Sequence, residues 1–245
     1  MHTFGFPVHI DELLIVCNRW KIPLIEDAAE SLGATLDGKH TGTFGEFGVY
    51  SFNGNKIITT SGGGALISND SDKIQLARKL ATQARDDAPH YQHSMIGYNY
   101  RISNICAGIG RGQMEVINER IKQRRANFER YLKIFEELGW KAEYQIEREG
   151  VFANRWLSAF YFNPEAFGAK FREELRLFLE TLNIESRPLW KPMHLQPVYE
   201  NHQYFGKMNS AEKIFDFGLC LPSGSNLTEK EWDRIELALN EFSER

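Results

Sequence analysis

The sequence predicts an α/β protein with a mainly parallel sheet, followed by a smaller C-terminal α+β domain. Three observations carry this. First, the apolar run Pro23-Leu24-Ile25 follows a segment with helical spacing, His9 to Lys21, as in a βα unit. Second, Val49-Tyr50-Ser51-Phe52 and Ala65-Leu66-Ile67-Ser68 read as strands, and Ser71 to Ala81 follows as a helix. Third, the pattern changes near Tyr131, beyond which Trp156 to Phe162 alternates with strong β character and Phe171 to Thr181 is amphipathic. A division into residues 1–130 and 131–245 follows, in a chain long enough for a domain and a half.

The elements can be justified in order. In the first helix Ile10, Leu13, Leu14, Val16 and Cys17 recur with helical period. Asp11 and Glu12 stand early and Arg19 and Lys21 late, as the helix dipole favours. Asp37-Gly38 is a hairpin signal. In Ser71 to Ala81, the residues Ile74, Leu76, Ala77 and Leu80 are expected to face inward. Ser103 caps a helix through Ala107, Ile109, Met114 and Ile117, which continues after Asn118 to about Glu137, with Gly139 as its stop. Ile184-Glu185-Ser186 reads as a strand entering Arg187, and Thr228-Glu229-Lys230-Glu231 as a capping box.

Composition excludes several classes. With 42% hydrophobic and 25% charged residues the chain is an ordinary globular one, and a net charge of -4 offers no basic field for nucleic acid. The basic run Arg120 to Arg125 is flanked by Glu115, Glu119 and Glu129 and reads as a solvated helix face. No apolar run approaches the roughly 20 residues that span a bilayer, and the first residues lack a signal sequence, which makes the cytoplasm the default compartment. Cys17, Cys106 and Cys220 are isolated and read as buried thiols. His90 and His93 have no cysteine or carboxylate cluster at ligand spacing, so no metal site is expected.

The chemistry concentrates between Pro23 and Gly64. The first strand reads as a buried one and ends at Glu26-Asp27, which delivers a carboxylate to its C-terminal edge, where open α/β sheets bind ligands. The next strand runs through Ser51 into Asn53-Gly54-Asn55-Lys56, with Gly62-Gly63-Gly64 beyond. A partly desolvated lysine amine condenses with an aldehyde. Pyridoxal phosphate is such an aldehyde, and it needs a carboxylate at its ring nitrogen. Asp27 suits that role, and the Ser51 hydroxyl suits the phosphate; a solvated surface turn is the competing reading.

Asp27-Ala28-Ala29-Glu30, Ser51-Phe52, Lys56 and Thr59 to Gly64 resemble the signature of the nucleotide-sugar aminotransferases of fold type I, the DegT/StrS group. The similarity runs on through Tyr98-Asn99-Tyr100-Arg101, Arg187-Pro188-Leu189-Trp190-Lys191-Pro192 and Leu221-Pro222-Ser223-Gly224. It implies a fold type I pyridoxal-phosphate-dependent transferase, with a partial large domain and a small C-terminal domain. Lys56 would carry the cofactor, Asp27 would pair with the pyridine nitrogen, Ser51 would bind phosphate, and Glu30 would lie near the ring and its phenolic oxygen. Relatives often have glutamine at that last position. An ionised glutamate cannot donate to a phenolate, so Glu30 is protonated, acts through water or points elsewhere, with a solvated helix glutamate as the alternative.

The resemblance further implies that Asn99 reaches the phosphate bound by a partner subunit, which makes a homodimer with a shared active site the expected assembly. Arg187, Trp190 and His194 are candidates for sugar or nucleotide contact, against packing at the domain junction. Thr82 to His93 and Arg187 to Pro197 resemble the branch that aminates UDP-4-keto-6-deoxy-N-acetylglucosamine with glutamate, on the UDP-bacillosamine route of bacterial glycoprotein and polysaccharide synthesis. His2 to Trp20 resembles the middle of the family's large domain, so an N-terminal part of that domain is expected to be missing. A truncated, inactive fragment or dimerisation partner is therefore the alternative expectation.

Overall fold

The computed structural model describes every residue except Lys207. It divides into two compact units, Met1–Lys122 with Glu147–Trp156, and Gln123–Ile146 with Leu157–Arg245.

In the first unit, a 3₁₀ turn at Thr3–Gly5 precedes helix α1 (Ile10–Trp20), which ends on Lys21 in the left-handed region. Ile10 is its buried residue, whereas Leu13, Ile15, Val16 and Trp20 are exposed. Strand β1 (Ile25–Asp27) leads to the hairpin β2 (Thr35–Leu36) and β3 (Lys39–His40). Its turn residues, Asp37 and Gly38, have φ of 50° and 75°, the geometry that suits the twist of a two-residue hairpin. Strand β4 (Phe47–Ser51) pairs in parallel with β1, and β5 (Gly64–Ile67) pairs antiparallel with β4. The sheet is therefore mixed. The link from β4 to β5 contains no crossover helix, and a parallel return needs one.

Two expectations are corrected in this unit. Ile25 is 63% exposed while Glu26 is 2% exposed, so β1 alternates instead of being buried on both faces. Helix α2 (Ser71–Ala81), capped by the Asp70 carboxylate, has no buried residue, and Leu76 is exposed. Leu76 lies about 200° around the axis from Ile74, off the stripe that Ile74 shares with Ala77.

Helix α3 (Asn104–Glu115) is capped by Ser103, whose Oγ accepts from Cys106 N. Helix α4 (Ile117–Glu137) begins after a break at Val116, where the sequence predicts continuity, and the division between the units falls within α4. Arg124 is buried, and burial lowers its pKa to about 10, so the basic run is not wholly a solvated face. Gly139, at φ 68°, donates to Glu136 O while Trp140 N reaches Phe135 O, the paired bonds that terminate a helix. Strand β6 (Val151–Phe152) completes the hairpin sheet by pairing with β2.

The second unit holds β7 (Ser158–Tyr161), α5 (Pro164–Phe167), α6 (Phe171–Thr181), β8 (Arg187–Pro188), α7 (Ser210–Phe217), β9 (Gly218–Leu221) and α8 (Glu229–Ser243). Its antiparallel sheet has the order β7-β9-β8, with every residue of β9 buried. β8 forms at Arg187-Pro188, after the predicted Ile184-Glu185-Ser186, and stands at an edge where Pro188 interrupts no ladder. The core is aromatic: Phe128 stacks on Phe160 at 5.3 Å, and Tyr131 packs against Trp232 at 4.9 Å. The Tyr131 hydroxyl donates to Pro222 O and Asn127 Nδ2 to Gly224 O, which fixes the Leu221-Pro222-Ser223-Gly224 loop. Cys17 and Cys106 are half-buried, Cys220 is buried, and none of the three forms a disulfide. Among the described residues no helix is long and apolar enough to cross a membrane, and no cluster of side chains could hold a metal ion.

Candidate active site on the first unit

Strand alternation sends the adjacent carboxylates of Glu26 and Asp27 to opposite faces of β1. Glu26 Oε1 accepts from Phe44 N at 2.6 Å and Gly45 N at 2.7 Å, and Oε2 accepts from Gly42 N at 2.7 Å and His2 Nε2 at 3.0 Å. Since His2 Nδ1 accepts from Val8 N, the proton sits on Nε2. Burial alone would raise the Glu26 pKa; the His2 and three backbone hydrogen bonds outweigh it and hold the group below the usual carboxylate value. Glu26 thus fixes the 42–45 loop.

Asp27 is exposed, and its Oδ1 accepts from Ala29 N at 3.1 Å. It pairs with Val49, so Asp27, Val49 and Ser51 share one face of the β1/β4 pair. Ser51 Oγ accepts from Asn53 N at 3.3 Å, at the start of the turn to which Lys56 belongs, and Lys56 N closes that turn on Asn53 O.

The Lys56 side chain is 13% exposed. Its Nζ stands 3.9 Å from Glu30 Oε1 and 4.2 Å from the centroid of the Trp156 ring. Glu30 lies in a turn, is 5% exposed, and accepts from Phe4 N through Oε2 at 2.7 Å. The solvated-helix reading of Glu30 is therefore wrong, because its turn packs beneath the Thr3–Gly5 segment.

The structure brings Glu30 and Lys56 together, and sets Asp27 and Ser51 on one sheet face. Asn99 is exposed on a loop tied back to α2 by its bridge with Thr82. Arg187, Trp190 and His194 belong to the second unit. There Arg187 is exposed and its Nε donates to Glu185 Oε1, while His194 is 2.7 Å from Glu212 Oε1 and stacks on Tyr204 at 3.8 Å.

A sequence model of the DegT/DnrJ/EryC1/StrS aminotransferase family matches residues 1–240. The chain belongs to this family. Similar curated relatives of the DegT/DnrJ/EryC1/StrS chain include a putative pyridoxal phosphate-dependent aminotransferase, EpsN, from Bacillus subtilis. It is 46% identical over 99% of this chain and 62% of its own length. A GDP-perosamine synthase from Caulobacter vibrioides is 35% identical over 98% of this chain and 64% of its own. Among solved structures, the aminotransferase TlmJ from Streptoalloteichus hindustanus matches with a TM-score of 0.88 at 24% identity, over 98% of this chain and 64% of that one. A putative sugar aminotransferase from Streptococcus pneumoniae, in its PLP form, matches with a TM-score of 0.85 at 22% identity, over 99% of this chain and 67% of that one. These likenesses show the fold, an α/β aminotransferase fold. The chain spans 62% to 64% of the length of the first curated relatives it matches.

Sequence reasoning missed three members of this family chain's site region: His2, Asn154 and Trp156. The indole N–H of Trp156 donates to Asn55 O at 2.8 Å, beside Lys56. Asn154 Nδ2 donates to Glu30 O and Leu32 O, and its Oδ1 accepts from Trp156 N. No local signal in the sequence couples Asn154 to Glu30 or Trp156 to Asn55, 124 and 101 residues apart.

Proposed function

We propose that this chain carries the lysine, carboxylate and hydroxyl of a pyridoxal-phosphate-dependent aminotransferase acting on a nucleotide-linked 4-keto-6-deoxy sugar, with glutamate as amino donor. The observation that carries the reading is the shared sheet face of Asp27 and Ser51, with β4 running directly into the turn of a sheltered Lys56. This donor set fits the cofactor: an exposed carboxylate for a ring nitrogen, a hydroxyl for a phosphate and a primary amine for an aldehyde. When bound, pyridoxal phosphate supplies the electron sink for breaking the donor's Cα–H bond.

In this reading Asp27 would hold the protonated ring nitrogen, and Ser51 would donate its hydroxyl to the phosphate. Lys56 Nζ would take the α proton of glutamate and later return a proton to one face of the sugar carbon C4. Asn99 reaches the phosphate bound by a second copy, in a homodimer. Arg187, 67% exposed at its side chain, is available to a nucleotide phosphate, with Trp190 and His194 as further contacts. The resemblance of Thr82 to His93 and Arg187 to Pro197 favours UDP-4-keto-6-deoxy-N-acetylglucosamine, on the UDP-bacillosamine route.

The test is to titrate the purified chain with pyridoxal phosphate, add glutamate and follow conversion to the pyridoxamine form. UDP- and GDP-linked 4-keto-6-deoxy sugars are then offered. Conversion, followed by amination of the UDP sugar in preference to the GDP sugar, supports the proposal, and preference for the GDP sugar overturns its substrate part. Failure of the chain to bind the cofactor overturns the catalytic part of the proposal.

A further inference from the structure

We propose that Trp156 and Glu30 form a seat for the protonated amine of Lys56, and that Glu30 serves this lysine rather than the oxygen of a bound ring. The proposal rests on the reading of Lys56 as the reacting lysine and adds two positioning residues to it. The ammonium lies 4.2 Å from the indole centroid and 3.9 Å from the Glu30 carboxylate, and both neighbours are nearly inaccessible to water. An indole face and a carboxylate both attract an ammonium, and shelter from water strengthens each attraction.

The seat is built on a cross-braced frame. Trp156 is anchored twice, through its indole N–H to Asn55 O at 2.8 Å and through its backbone N to Asn154 Oδ1 at 2.8 Å. Asn154 Nδ2 in turn holds the Glu30 carbonyl at 3.1 Å, so one side chain ties together the two groups that flank the ammonium. The frame closes through Gly5, whose O accepts from Asn154 N at 3.1 Å. A Cβ at Gly5 would lie 1.8 Å from Asn154 Oδ1 and 2.7 Å from Trp156 N, and its φ of +88° independently calls for glycine. Glu30 Oε2 is committed to Phe4 N, which orients Oε1 toward Lys56.

For the chemistry, the consequence is that the amine returns to one place whenever it is released. To attack an aldehyde carbon, the amine must leave this seat as a neutral nucleophile.

The probe is reductive methylation with formaldehyde and dimethylamine-borane, a neutral reagent pair that reads the unprotonated amine, resolved at Lys56 by peptide mass spectrometry. Exposed Lys21 serves as internal reference. Glu30→Gln is close to isosteric and keeps an acceptor for Phe4 N; the expected result is a roughly tenfold rise in the Lys56 rate near pH 7, with Lys21 unchanged. Trp156→Phe keeps a smaller, weaker π face and is expected to raise the Lys56 rate about threefold; it carries the test should E30Q fail to fold. Wild-type rates at Lys56 in folded E30Q, or in W156F where E30Q does not fold, overturn the proposal. Trapping of pyridoxal phosphate by borohydride on another lysine of the wild-type chain would overturn the underlying reading and leave the methylation result standing, so the two failures are distinguishable.

Discussion

Replacing Glu26 by glutamine tests the carboxylate cradle behind the candidate site. Its two oxygens receive four donors: Phe44 N and Gly45 N on one, Gly42 N and His2 Nε2 on the other. Whichever way a glutamine amide turns, its NH₂ faces two of those donors. Hydrogen bonds to a charged acceptor contribute about 1.5–3 kcal/mol each, so the loss is about 3–6 kcal/mol out of a total of about 5–15. The assay is urea unfolding of wild type and E26Q at neutral pH and along an acid series. Because the folded Glu26 titrates below its usual value, its contribution is fully present above the normal carboxylate range and is lost as pH falls through the lower folded value. The gap between the two proteins should therefore close on acidification. A neutral-pH difference under about 1 kcal/mol, or a gap that does not narrow as pH falls below the normal carboxylate range, would refute the cradle.

Three further outcomes follow from the same physics. Gly48→Ala places a Cβ 1.9 Å from the Gly42 carbonyl oxygen, a backbone atom, and should cost about 2–3 kcal/mol in denaturant unfolding. Thr228→Ala removes the reciprocal cap with Glu231 and should lower the stability of the second unit by about 1 kcal/mol, seen as a reduced thermal midpoint. The Lys79 and Ser94 hydrogen bonds hold Asp86 down at about 2, so Asp86→Asn should speed proteolytic nicking between residues 86 and 99 at neutral pH. In the wild-type chain the same loosening should appear only as pH falls toward about 2.

What was legible in the sequence was local. The Asp37-Gly38 turn, the Gly139 stop, the span of α6 and the Thr228 capping box each depend on a few adjacent residues whose conformational preferences leave little choice. The exposure of Ile25 was not legible, since a three-residue apolar run gives no face to a strand until its neighbours are known. The break at Val116 lies in a stretch whose periodicity runs straight on. At the candidate site, the turn chemistry singled out Lys56, but the sequence could not show that Trp156 would lie across it, nor that Phe4 N would claim an oxygen of Glu30. Those contacts join distant segments through hydrogen bonds with no periodic signature.

The measurement that bears most directly on the central claim is borohydride reduction of the chain mixed with one equivalent of pyridoxal phosphate, followed by peptide mapping. The account predicts the reduced cofactor on the peptide containing Lys56, and its loss from that peptide in Lys56→Ala. Reduced cofactor spread over surface lysines, or concentrated on a different one, would contradict it.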